Sequence, residues 1–120
     1  MKPDYQSSIA LVDDDEDTVN LFTYFLREKG YNVFGFTDPI LLLDYIRHHD
    51  NQFRLILIDY RMPRITGCEL ANKIADINPS IEMVLLTAIN DIIKNKLNLR
   101  VIHKPLRLSQ LLHIVAKYMS

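Results

Sequence analysis

The sequence predicts an α/β protein built on a parallel sheet with helices on both faces. Three observations predict it. Short apolar runs alternate with longer amphipathic stretches along the whole chain. The clearest run, Leu55-Ile56-Leu57-Ile58, is apolar at every position, as a strand buried on both faces is. Finally, 120 residues suit one domain, and five strand–helix units fill it.

Ile9-Ala10-Leu11-Val12 runs directly into acids, which reads as a buried strand feeding a polar loop. Residues 15–29 then carry a helical stripe of Val19, Phe22, Phe25 and Leu26, and Gly30 is placed to stop that helix in left-handed backbone. Tyr31 to Phe36, aromatic and β-branched, reads as the second strand. Asp38-Pro39 is a cap with proline at the first helical position, opening a helix that carries Leu42, Tyr45 and Ile46 to about His49. The third strand ends at Asp59. A loop with Pro63 and Gly67 leads to a helix bearing Leu70, Ile74 and Ile77, which Asn78-Pro79 ends. Met83 to Leu86 is the fourth strand, ending at Thr87. A polar stretch with Ile92, Ile93 and Leu97 precedes the fifth strand, Arg100 to His103, and Lys104-Pro105. Leu108, Leu111, Leu112, Val115 and Met119 stripe a last helix.

Composition excludes several classes. The chain is 48% hydrophobic and 24% charged, unlike a disordered or collagen-like sequence. Its net charge of −1 offers no global positive field for nucleic acid or an anionic membrane. No apolar run approaches the ~20 residues that span a bilayer, and residues 1–6 lack the apolar core of a signal peptide. The single Cys68 allows neither an internal disulfide nor a zinc site and suits a reducing cytosol; at a predicted helix start, the dipole would lower its pKa. Gly30, Gly35 and Gly67 cannot assemble a dinucleotide fingerprint or a phosphate-binding P-loop. His48 and His49 near a predicted helix end read as solvated residues favourable to the dipole, and His103 as facing away from any site at the strand ends.

The polar residues fall at strand ends. The first strand ends in Asp13-Asp14, the third in Asp59, the fourth in Thr87 and the fifth in Lys104. In an open parallel sheet those ends share one rim, where ligands bind. Taken singly, each has a plain structural explanation. Asp13 to Asp17 suits a helix start, Asp59 a turn cap, Thr87 a β-branched strand position and Lys104 a solvated lysine. Their coincidence on one rim does not.

These residues carry a family resemblance. Leu11 to Asp15, Leu57 to Gly67, Leu85-Leu86-Thr87-Ala88 and His103-Lys104-Pro105 together resemble the receiver domain of two-component response regulators, over about residues 7–119, with 1–6 as an N-terminal extension. The resemblance implies a flavodoxin-like doubly wound fold with strand order 2-1-3-4-5. It also implies that Asp59 accepts a phosphoryl group from a sensor histidine kinase or phosphotransfer protein. Asp13, Asp14, Asp59 and the backbone carbonyl of Arg61 would hold Mg²⁺ or Mn²⁺, and Thr87 and Lys104 would contact phosphoryl oxygens. A cis Lys104–Pro105 peptide, a cytoplasmic location, a downstream effector and a phosphorylation-dependent homodimer belong to the same expectation. The product would be a signalling phosphoacceptor that catalyses only its own phosphotransfer and slow dephosphorylation, with no direct nucleic-acid or membrane binding.

The chain departs from that family in two places. Only sixteen residues separate Thr87 from Lys104, room for about two turns of a shortened fourth helix. Val101 occupies the position, three before the lysine, of the usual aromatic switch residue. Two other classes remain open at this stage. One is a receiver-like interaction module that takes no phosphate. The other is a haloacid-dehalogenase-type phosphohydrolase, since Asp15-Glu16-Asp17-Thr18-Val19 fits D-x-D-x-[TV], although its nucleophile should directly follow the strand.

Overall fold

Five parallel strands form one sheet of order β2-β1-β3-β4-β5 in the computed structural model, which describes residues 8–49, 52–88, 93 and 95–120. The strands are β1 (Ser8–Val12), β2 (Asn32–Phe36), β3 (Phe53–Asp59), β4 (Glu82–Thr87) and β5 (Arg100–His103). The helices are α1 (Glu16–Glu28), α2 (Pro39–His48), α3 (Gly67–Ile77) and α4 (Leu108–Met119). The chain steps from β1 outward to β2, then crosses back to place β3 on the other side of β1. Strand order therefore reverses between β1 and β3, which opens a crevice at their C-terminal ends.

Side chains alternate across each strand, so one apolar run feeds two cores. Ala10, Val12, Ile56, Ile58 and Leu85 pack with Leu42, Ile46, Leu70 and Ile74 of α2 and α3. Ile9, Leu11, Leu55, Leu57, Val84 and Leu86 pack on the opposite face with Phe22, Leu26, Leu111 and Val115 of α1 and α4. Most of these side chains are fully buried, each worth about 1.5–3 kcal/mol relative to exposure. Among the described residues, one polar atom joins them without a hydrogen-bond partner, the Thr23 hydroxyl of α1.

The expected punctuation is in place. The Asp38 carboxylate accepts from Ile40 N at 2.9 Å with Pro39 opening α2. Gly30 follows α1 with φ +94°. α3 begins with a reciprocal cap that the sequence reading had not identified: Thr66 Oγ1 accepts from Glu69 N and the Glu69 carboxylate accepts from Thr66 N, both at 3.2 Å.

The shortened fourth helix falls largely on residues 89–92 and 94, outside the described residues. Of the described residues before β5, 95–99 form a turn clamped by Asn95, whose side chain donates to Leu99 O at 2.7 Å and accepts from Leu99 N at 2.9 Å. Among the described residues, no helix is long and apolar enough to cross a membrane.

Candidate functional site

Backbone hydrogen bonds tie the C-terminal strand ends into one rim. Asp13 N donates to Phe36 O at 3.1 Å, Tyr60 N to Leu86 O at 2.8 Å and Lys104 N to Thr87 O at 2.8 Å. Every strand that borders the crevice is thus held to its neighbour at the residue carrying, or adjoining, a polar side chain. The Lys104–Pro105 peptide is cis, as the resemblance implied.

Asp13, Asp14 and Asp59 each offer a carboxylate oxygen, and these oxygens lie within 4.8 Å of one another. Asp13 and Asp59 are buried, 3% and 4% exposed, whereas Asp14 is at the surface. Asp13 is oriented by its neighbour, since Oδ1 accepts from Asp15 N at 2.9 Å. Lys104 crosses the crevice from the end of β5. Its Nζ donates to Asp59 Oδ1 at 2.6 Å and lies 3.5 Å from Asp13 Oδ2. Thr87 closes β4, almost fully buried at 1% exposure, and its hydroxyl lies 3.4 Å from Ala88 O.

The electrostatics follow from burial and crowding. Loss of water pushes Asp59 up to about 6; Lys104 opposes the shift, and the neighbouring Asp13 and Asp14 add to it. Burial likewise raises Asp13, partly countered by the Asp15 N–H and Lys104. Burial tends to lower Lys104, but the two carboxylates outweigh it and hold the ammonium above its ordinary value. Three acids face one lysine at this point, an excess of negative charge that invites a cation.

The loop from β3 to α3 forms one wall. Gly67 N donates to Tyr60 O at 2.8 Å, and a Cβ at Gly67 would stand 2.7 Å from Asp59 O and 2.9 Å from Tyr60 Cα. Only glycine permits this approach, which presses the start of α3 against the backbone of Asp59 itself. The loop turns tightly through Arg64, at φ +71°, where Ile65 N donates to Pro63 O at 2.9 Å. The Arg64 guanidinium then reaches the Asp38 carboxylate at 3.4 Å, an exposed link between the loops that precede α2 and α3. Asp14, Tyr60, Arg61, Met62, Pro63 and Thr66 enclose a cavity of about 380 Å³ beside the acids. Neither the Gly67 contact nor the Arg64–Asp38 pair was identified in the sequence; glycine directly before an amphipathic helix was the available signal for the first.

Other candidates separate from this rim. Asp15 is exposed and its carboxylate accepts from Thr18 Oγ1, so the D-x-D-x-[TV] match is a helix start outside the acidic cluster. The expected lowering of the Cys68 pKa is reversed. Burial and the adjacent Glu69 push the thiol up. His48 and His49 are exposed; His48 Nδ1 lies 2.8 Å from Asp44 O, and the His49 ring stacks on Tyr45 at 3.9 Å. His103 is exposed, and Ile89 lies outside the described residues.

The model of the response regulator receiver domain matches residues 9–116. The response regulator receiver protein CpdR of Brucella abortus is 29% identical over 114 residues, covering 91% of this chain and 93% of that protein. The transcriptional regulatory protein ZraR of Klebsiella oxytoca is 32% identical over 87 residues, covering 72% of this chain but only 19% of the longer protein. A solved response regulator receiver domain from Clostridium thermocellum superposes with a TM-score of 0.85 over 94% of each chain at 19% identity, a likeness of fold. With a family match over nearly its whole length, this chain belongs to the response regulator receiver domain family of two-component signalling.

Proposed function

We propose that this receiver domain takes a phosphoryl group on Asp59, donated by the phosphohistidine of a sensor kinase or phosphotransfer protein, and passes the signal to a downstream effector. The observation that carries the reading is the convergence of Asp13, Asp14 and Asp59 opposite a single lysine. The donor set fits a hard divalent cation. It is all oxygen, it holds more negative charge than Lys104 can balance, and the buried pair resists ionisation without further positive charge.

In this reading Asp13, Asp14 and Asp59, with the backbone carbonyl of Arg61, hold Mg²⁺ or Mn²⁺. When bound, the ion neutralises charge on the phosphoryl oxygens. Asp59 is the nucleophile. Its carboxylate oxygen bonds to phosphorus as the donor's phosphorus–nitrogen bond breaks, and the electron pair leaves with the imidazole. Lys104 Nζ then transfers its contact from the Asp59 carboxylate to a phosphoryl oxygen, and the Thr87 hydroxyl donates to another. The chain catalyses only its own phosphotransfer and slow dephosphorylation, and a cytoplasmic location goes with this reading.

Incubation with a small-molecule phosphodonor and Mg²⁺, followed by intact mass and peptide mapping, tests it. A single phosphoryl adduct on Asp59, absent without metal and in Asp59→Asn, is expected. Equal incorporation by Asp59→Asn would refute the assignment, and no incorporation would favour an interaction module that takes no phosphate.

A further inference from the structure

Helix α2 has a second face that neither core covers. Leu41, Asp44, Tyr45 and His48 follow one another at helical spacing, and of these only Tyr45 is half-buried while the others are exposed. Phe36, half-buried at the end of the terminal strand β2, stands beside them. With His49 they line a cavity of about 490 Å³. None of its lining residues belongs to the acid cluster of Asp13, Asp14 and Asp59.

The aromatic wall of this cavity is fixed by packing. Tyr45 lies against Phe34 and Phe53, each with ring centroids 5.6 Å away, and meets Phe36 at 5.8 Å and 59°. The His49 ring stacks on Tyr45 at 3.9 Å and 13°. The polar wall accepts hydrogen bonds. Among the described residues that line it, Asp44 is the one acid, and there is no lysine or arginine. His48 Nδ1 lies 2.8 Å from Asp44 O, and His49 Nδ1 lies 2.9 Å from Tyr45 O. A carbonyl oxygen only accepts, so both Nδ1 atoms carry hydrogen, and each neutral ring keeps Nε2 as an acceptor.

We propose that this cavity holds the guanidinium of an arginine that a partner protein presents among apolar residues. Aromatic faces attract a cation, and a carboxylate beside them pairs with it. A planar, weakly hydrated guanidinium stacks on rings and offers five donors, whereas an ammonium is a compact, strongly hydrated charge, so arginine is preferred to lysine. A metal ion is disfavoured. Among the described residues, the acids Asp13, Asp14 and Asp59 gather ligand atoms to metal-binding distance, and Asp44, His48 and His49 do not. Leu41 and its neighbour Ile40, 60% and 48% exposed, select a peptide over a free guanidine, because they provide apolar surface for the arginine stem and for the residues beside it.

Titration of the isotope-labelled domain with a capped octapeptide of leucines and serines around one central arginine tests this by amide shift mapping. The controls are the same peptide with lysine or with uncharged citrulline for the arginine, and free arginine amide. Expected are shifts centred on Phe36, Leu41, Asp44, Tyr45, His48 and His49. The citrulline peptide should bind about tenfold more weakly, the lysine peptide several-fold more weakly, and free arginine amide more weakly still. Asp44→Asn and His49→Ala should each reduce affinity for the arginine peptide several-fold. Both variants change exposed residues, and their unaltered circular dichroism would exclude misfolding. No binding, shifts centred on Asp13 to Asp15 or on any other surface, or an undiminished affinity in Asp44→Asn would each overturn the proposal. So would equal affinity for the citrulline or the lysine peptide, and so would free arginine amide binding as tightly as the peptide.

Discussion

Lys104 Nζ bonds Asp59 Oδ1 at 2.6 Å across 45 residues of sequence, joining the last strand of the sheet to the central one. The same ammonium lies 3.5 Å from Asp13 Oδ2. One cation is shared by two buried acids.

Lys104→Ala should leave the fold intact, since the side chain is part-exposed and serves the site rather than a core. Its loss removes the interactions that restrain the Asp59 pKa, so the metal-free carboxyl should titrate above its present value of about 6. Carbon-detected carboxyl titration reads this directly. Phosphoryl uptake should slow on the order of a hundredfold, the usual cost of losing one charged contact to a reacting oxyanion. An unchanged Asp59 titration together with a wild-type rate would contradict this role.

The raised Asp59 pKa predicts a pH-dependent stability. An unfolded aspartate titrates near 3.8, whereas folded Asp59 keeps its proton to about 6. Between those values the folded state binds more protons than the unfolded one, so the stabilisation is full below 3.8 and is lost as pH rises through about 6. In metal-free buffer, the melting temperature of the native protein relative to Asp59→Asn should therefore fall across that window. Mg²⁺ should raise it more at neutral pH than in acid, because protons compete for the same oxygens. Thermal melts across the window check both; a pH-independent difference would contradict the assignment.

Gly67→Ala should destabilise the domain by about 1–3 kcal/mol, the ordinary range for overpacking. The atoms that its Cβ would strike are the backbone of Asp59 and Tyr60, which cannot swing aside as a flexible side chain would. The same displacement moves the acceptor, so phosphoryl uptake should drop with stability. Denaturant unfolding beside a phosphorylation assay measures the two together, and wild-type behaviour in both would refute the contact's importance.

The phosphorylated form should be long-lived. In the family, the residues two beyond the acceptor and two beyond the threonine flank the path of the attacking water; here they are Arg61 and Ile89. Isoleucine cannot orient a water, and arginine donates only and cannot act as a base. Decay in Mg²⁺ buffer after donor removal should take minutes to hours, and Ile89→Glu should shorten it. Decay within seconds in the native protein would show that another group positions the water.

Much of this architecture is legible in local sequence. The all-apolar run at Leu55 to Ile58, the cap at Asp38-Pro39 and the stop at Gly30 express preferences that act over a few residues, and the structure keeps all three. The gathering of Asp13, Asp59, Thr87 and Lys104 on one rim also follows from strand ends alone, because parallel strands point the same way. Tertiary structure decided what depends on packing. It set the 2.6 Å approach of Lys104 to Asp59, the press of Gly67 on the backbone of Asp59, and the reach of Arg64 to Asp38. It also reversed the expected shift at Cys68 and left the Thr23 hydroxyl without a partner. Periodicity and capping are properties of neighbouring residues, whereas desolvation and long-range contact depend on which elements lie against each other. Only the folded sheet specifies that.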